Sequence, residues 1–247
     1  MSSPSERRRA TSLAHPALTT GRETDMPVQK NQRALVVLCE VDNGVPPDFK
    51  WLYKFIEGSG RSIVESELAD DYIDFQRLYN QDATKDKLLN TLKTFATKPT
   101  IKEIDLIVML HGNNNHLVFH EGGVNMSTLG ADIQSLNAAS KLRMVYSTAC
   151  FGYSHTDEFV SSGFDAAIGA VGVNANAAVE VPVFLKLWSW GWRLRDALAA
   201  AETPATRLPA DAAARTFGAA TDAIWKNEVN SDKTLRGNGD IKIDSDV

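Results

Sequence analysis

The chain has 247 residues, 43% of them hydrophobic, with a mean hydropathy of -0.22. That supplies one substantial core and favours one α/β domain over two small ones. No apolar run reaches the roughly 18 residues of a membrane span, and a mildly acidic charge of -5 argues against nucleic acid as the main partner.

Residues 1–32 are rich in Ser, Thr, Pro and charge and lack any helical or strand period, so a disordered basic tail is expected. The triplet Arg7-Arg8-Arg9 is not followed by an apolar segment, so it does not read as an export signal. Residues 33–41 form a first predicted strand. A turn at Asp42-Asn43-Gly44 and a loop fixed by Pro46-Pro47 come next. Residues 49–56 carry Phe49, Leu52, Tyr53 and Ile56 at helical spacing, and Gly58-Ser59-Gly60 is expected to end that helix. Residues 72–79 are a second strand. Thr84 then caps a helix whose stripe is Leu88, Leu89, Leu92, Phe95 and Ala96, and Pro99 stops it.

Residues 104–112, Ile-Asp-Leu-Ile-Val-Met-Leu-His-Gly, read as a strand buried on both faces, as parallel strands are. A small hairpin over the sheet edge is expected around Leu117-Val118-Phe119 and Gly122-Gly123, then a helix over residues 127–138. Residues 142–152, Leu-Arg-Met-Val-Tyr-Ser-Thr-Ala-Cys-Phe-Gly, form a second strand of the same kind. A helix over 156–162 ends at Gly163, and residues 164–173 give another buried strand. Two helices broken near Gly191 cover residues 177–190 and 192–201. A loop marked by Pro204 and Pro209 precedes a last helix over 210–225. The polar remainder, residues 227–247, offers a short edge strand at 240–243. Residues 33–226 thus read as one domain, a three-layer α/β/α sandwich with a mainly parallel sheet and right-handed crossovers.

Each of the two buried runs delivers one reactive residue at its carboxyl end, the edge where open α/β sheets gather ligands and chemistry. A histidine and a cysteine on neighbouring strand ends are the parts of a thiol nucleophile with an acid–base partner. Cys150 followed by Phe151-Gly152 reads as that nucleophile rather than a core thiol, and His111 followed by Gly112 as its partner. Cys39, mid-strand, reads as core. With only two cysteines, a disulfide framework is not the theme, and a reducing cytoplasm fits. His116, His120 and His155 read as solvated loop residues. His116 and His120 stand four apart, but no thiolate or carboxylate pattern completes a metal site, so neither metal nor cofactor is called for.

A strand ending in His-Gly, followed later by one ending in small-Ala-Cys-x-Gly, resembles the caspase-like (clan CD) cysteine peptidases. Caspases, metacaspases, clostripain, legumain, separase and bacterial CHAT domains belong to that group. Residues 84–92 are similar to the family's helix ahead of the histidine strand, and residues 163–169 to its following strand. Residues 191–201 resemble the Gly-x-x-x-x-x-Ala-Leu-x-x-Ala ending of CHAT domains, so the likeness spans about 33–202. The resemblance implies Cys150 as nucleophile and His111 as the residue that protonates the leaving amine. It also implies an oxyanion hole from the backbone amides of Gly112 and Cys150, worth about 3–4 kcal/mol to a barrier. It assigns Thr148, two before the cysteine, to the pocket for the substrate residue preceding the cut. Thr148 is neutral, so any counter-charge must come from elsewhere. Asp42 fits that role and fits an ordinary turn residue equally, and a neutral pocket for small or apolar residues stays open. The expected protein is a cytoplasmic cysteine endopeptidase acting on one or few protein substrates and activated by a partner protein or by self-cleavage. A catalytically silent binding module is the alternative. An α/β-hydrolase is excluded because Thr148 stands where that fold's elbow has its first glycine, and no suitable histidine follows.

Overall fold

A computed structural model describes residues 26–246. The first strand, β1 (Arg33–Glu40), is buried throughout, and its side chains alternate between two cores: Ala34, Val36 and Leu38 face one way, Leu35, Val37 and Cys39 the other. Double burial is what lets the apolar run persist without polar alternation.

Helix α1 (Lys50–Leu68) follows, and it runs through Gly58 and Gly60 instead of stopping there. Two observations explain the difference. Val64 and Leu68 continue the buried stripe two turns further, so tertiary burial outweighs the cost of glycine in a helix. A Cβ on Gly60 would lie 2.5 Å from the Met109 methyl, so the glycine permits close approach of helix to sheet.

Strand β2 (Asp74–Tyr79) pairs parallel with β1, and α2 (Lys85–Thr97) begins at Thr84, whose Oγ1 accepts the Lys87 amide at 3.2 Å. The histidine strand is β3 (Glu103–Asn113), parallel to β1 on its other side. Its last residues pair with β4 (His116–Phe119), which turns into β5 (Gly122–Asn125), the expected hairpin. Helix α3 (Met126–Gln134) leads to β6 (Leu142–Ser147), and α4 (Tyr153–Ser161) to β7 (Ala166–Ala170).

Helices α5 (Ala177–Ser189) and α6 (Leu194–Ala201) are separated at Gly191, whose φ of 78° suits glycine. The last helix, α7 (Pro204–Ala220), starts earlier than the sequence suggests. Pro204 sits in its first turn, where a missing amide costs nothing. Strand β8 (Lys233–Gly237) pairs antiparallel with β7. Residues 240–243 are not a strand. Ile241 and Ile243 are instead buried against the α1/α5 core, and the Ile241 carbonyl accepts the Leu194 amide.

The main sheet order is β2-β1-β3-β6-β7-β8, parallel except for β8. Helices α2, α3 and α4 cover one face, and α1, α5 and α6 the other. The protein is a three-layer α/β/α sandwich. No described helix is long and apolar enough to cross a membrane.

Candidate active site

The carboxyl ends of β1, β3 and β6 lie side by side. Register pairs Leu38 with Val108 and Val108 with Ser147, and the Thr148 amide donates to the Val108 carbonyl at 2.9 Å. Beyond that point β3 extends to Asn113, while β6 ends at Ser147 and the chain turns. Cys150 therefore lies three residues past the strand, not at its last position as the pattern suggested. The turn is tightly held. The Phe151 amide donates to Gly172, and Phe151 has a φ of 54°, a conformation disfavoured for an aromatic residue. Strained backbone of this kind persists where surrounding structure over-determines it, often at functional sites.

Gly112 and Cys150 meet directly. A Cβ on Gly112 would stand 2.5 Å from the Cys150 carbonyl oxygen and 3.0 Å from the Ala149 Cβ, so only glycine fits between the two strand ends. His111, by alternation, shares the α1/α5 face with Met109. Its Nε2–H donates to the Val41 carbonyl at 2.7 Å, which fixes the ring and leaves Nδ1 as the nitrogen that can take a proton. Burial lowers the His111 pKa, opposed by that hydrogen bond and by the charges of Glu40 and Glu57. The half-buried Cys150 thiol is raised by burial. The amide of Asn174, the Lys233 charge and its own amide favour the thiolate more weakly. Both shifts disfavour the charged form of the group concerned. Cys39 is fully buried, and burial pushes its thiol up to about 12.

Several residues around this pair carry no sequence signal of their own. The Tyr53 ring of α1 packs on His111 at a centroid separation of 5.4 Å, and its phenol is pushed up by burial and by the Cys150 charge, so it borders both groups. Asn174, in the loop after β7, presents its amide to Cys150, while its side chain donates to the Thr148 carbonyl at 3.0 Å. His155 was expected in solvent. It is instead buried on α4, with Nε2 bonded to the Asn113 carbonyl at 2.8 Å, directly behind Gly112. The α4 helix starts three residues earlier than the pattern predicts, which turns His155 inward. His116 is exposed. The exposed His120 pairs with the buried Glu40 at 2.7 Å, which raises its pKa. Among the described residues, no group of three or more His, Cys, Asp or Glu side chains could hold a metal ion.

A cavity of about 270 Å³ opens beside these strand ends, between α1 and α5. Thr148 lines it. Asp42 does not; it is half-buried, with its amide 3.4 Å from the Glu57 carboxylate. The acid on the cavity wall is Glu57, nearly buried. Its Oε2 accepts the Val41 amide at 2.8 Å, and its Oε1 pairs with Arg61 one turn on.

No family model and no curated protein matches the chain. Among solved structures, the Drosophila initiator caspase Dronc matches over 97% of this chain and 92% of that chain, with a TM-score of 0.52 at 11% sequence identity. Likeness at that identity is one of architecture. The strand order, the mostly parallel sheet and the helical layers on both faces therefore give this chain a caspase-like fold.

Proposed function

We propose that this protein is a cysteine endopeptidase with His111 and Cys150 as its catalytic pair. The contact of Gly112 with the Cys150 backbone carries the reading, because it brings the two reactive strand ends to one place. The Cys150 sulfur attacks the scissile carbonyl carbon as His111 Nδ1 takes the thiol proton. The tetrahedral oxyanion sits against the amides of Gly112 and Cys150. His111 then gives the proton to the departing amine, leaving a thioester that water hydrolyses with the same imidazole as base. The carbonyl of Val41 holds the ring in the tautomer that this relay needs. A neutral resting thiol fits an enzyme kept quiet until a partner or self-cleavage reorganises the site, with proteins as substrates.

The test is digestion of a denatured proteome by the wild-type chain and by Cys150→Ala and His111→Ala variants, reading new termini by mass spectrometry. Cuts should appear with wild type and fall by roughly 10³-fold or more in either variant, the scale seen when one member of a catalytic unit is removed. Cuts that survive Cys150→Ala would refute the assignment. No cuts from wild type, even after proteolytic nicking or with candidate partners present, would favour the silent binding module.

A further inference from the structure

The cavity between α1 and α5 is chemically unlike a site for a charged side chain. Its floor is formed at the strand ends by Val41, Met109 and Thr148, and its walls include Ile56 and Ile63 of α1 and Val181 of α5. It touches the machinery at two points: Val41 supplies the carbonyl that holds His111, and Thr148 stands two residues before Cys150. The one charge on its wall is already answered. The Glu57 carboxylate receives the Val41 and Asp42 amides on one oxygen and the Arg61 guanidinium on the other. Arg61 is itself fixed by the Cys39 carbonyl at 3.1 Å and Asn80 Oδ1 at 2.8 Å. A basic guest would have to displace an internal ion pair, and an acidic one would meet Glu57. Either would be stripped of water with no free counter-charge.

Resting on the peptidase reading, we propose that this cavity takes the side chain preceding the cut and selects an apolar residue, such as leucine or methionine. Thr148 is the specificity-determining residue. Its hydroxyl, 3.4 Å from the Val108 carbonyl, is turned to the backbone and adds no charge to the floor. Met109 lets the floor adapt, since its unbranched thioether side chain can change shape to suit a guest.

The test has two arms on the full chain. In the first, Cys150→Ala protein isotope-labelled at its methionine methyl groups is titrated with the N-acetyl amides of leucine, methionine, arginine and aspartate. The Met109 methyl resonance should move with the first two and stay with the last two. Movement with arginine or aspartate, or with none of the four, overturns the proposal whether or not the protein is a peptidase. In the second arm, wild type and Thr148→Asp hydrolyse peptides that differ only in the residue before the cut. Wild type should prefer leucine or methionine over arginine by roughly a hundredfold, the scale of an unpaired charge in a dry site, and Thr148→Asp should reverse that order. Wild-type cleavage after arginine would overturn the preference and leave the peptidase standing. Binding of leucine without any Cys150-dependent cleavage, even after proteolytic nicking or with candidate partners present, would leave the cavity assignment standing and remove the peptidase.

Discussion

His111 and Cys150 are each displaced away from their charged forms, and for the same reason: both are partly withdrawn from water. Burial lowers the histidine below its ordinary 6.5 and raises the cysteine above its ordinary 9.0. In the proposed mechanism the histidine is needed unprotonated, so acid would remove activity only when it protonates the ring. The value of kcat/KM for a peptide substrate should hold level through neutral pH and fall on acidification with a midpoint below 6.5. Alkylation of Cys150 by iodoacetamide, followed by peptide mapping, should be slow at neutral pH and climb only above pH 9, because only the thiolate reacts. Complete alkylation already at neutral pH would indicate a thiolate–imidazolium pair and contradict the neutral resting site. At this scale the sequence singled out His111 and Cys150 as candidates, because each ends an apolar run and is followed by glycine at once or after one residue. It was silent about Tyr53, Asn174 and Glu57. Each of those is an ordinary residue of a helix or loop, made significant only by what it packs against.

The elements are joined at the end of the sheet opposite the site by a buried ion pair. Arg143 of β6 donates to both oxygens of Asp105 on β3, at 3.0 and 2.6 Å. Asp105 also accepts the Tyr72 hydroxyl, and Tyr72 in turn accepts the indole N–H of Trp188 on α5 at 3.3 Å. Arg143 further donates to the carbonyl of Ile243, which docks the carboxyl-terminal segment onto the sheet. Removing one member strands a buried charge, so Arg143→Ala should lower unfolding free energy by about 3–5 kcal/mol in denaturant titration. A paired Arg143→Met, Asp105→Leu variant should recover most of that loss, because no charge is then left alone. Equal losses in the single and paired variants would mean the network is worth more than its desolvation cost. This network explains why residues 240–243 were misread as a strand. Their apolar alternation is real, but it serves docking against α5, α6 and Arg143 instead of sheet pairing.

For the molecule as a whole, a second buried polar cluster sits between α5, α6 and β8. Lys233 and Glu180 form a fully buried pair at 2.6 Å, and the Tyr146 hydroxyl donates to Glu180. Beside them the Glu202 carboxyl, its side chain 7% exposed, lies against Glu180 and 3.7 Å from Arg207. Burial and the Glu180 charge raise its pKa to about 8. An acid whose folded pKa is raised favours the folded state while protonated. Its contribution is therefore complete below the ordinary 4.5 and is lost as pH rises through about 8. Glu202→Gln should raise Tm relative to wild type at pH 9 and leave it unchanged near pH 4.5, measured by scanning calorimetry. An equal change at both pH values would refute the linkage.

The fold was largely readable from the chain alone, because strands buried on both faces must be continuously apolar and amphipathic helices must keep one stripe. Those local constraints are enough to order strand, helix and strand into a three-layer sandwich. Where local signals competed with burial, tertiary structure decided. It carried α1 through two glycines, turned His155 inward behind Gly112, placed Cys150 beyond its strand and chose residues 233–237 as the edge strand. It also decided the character of the cavity, since whether Glu57 acts as a free charge depends on Arg61 and two amides from a neighbouring strand end. Periodicity is written one element at a time, whereas the neutralisation of a charge belongs to contacts between elements.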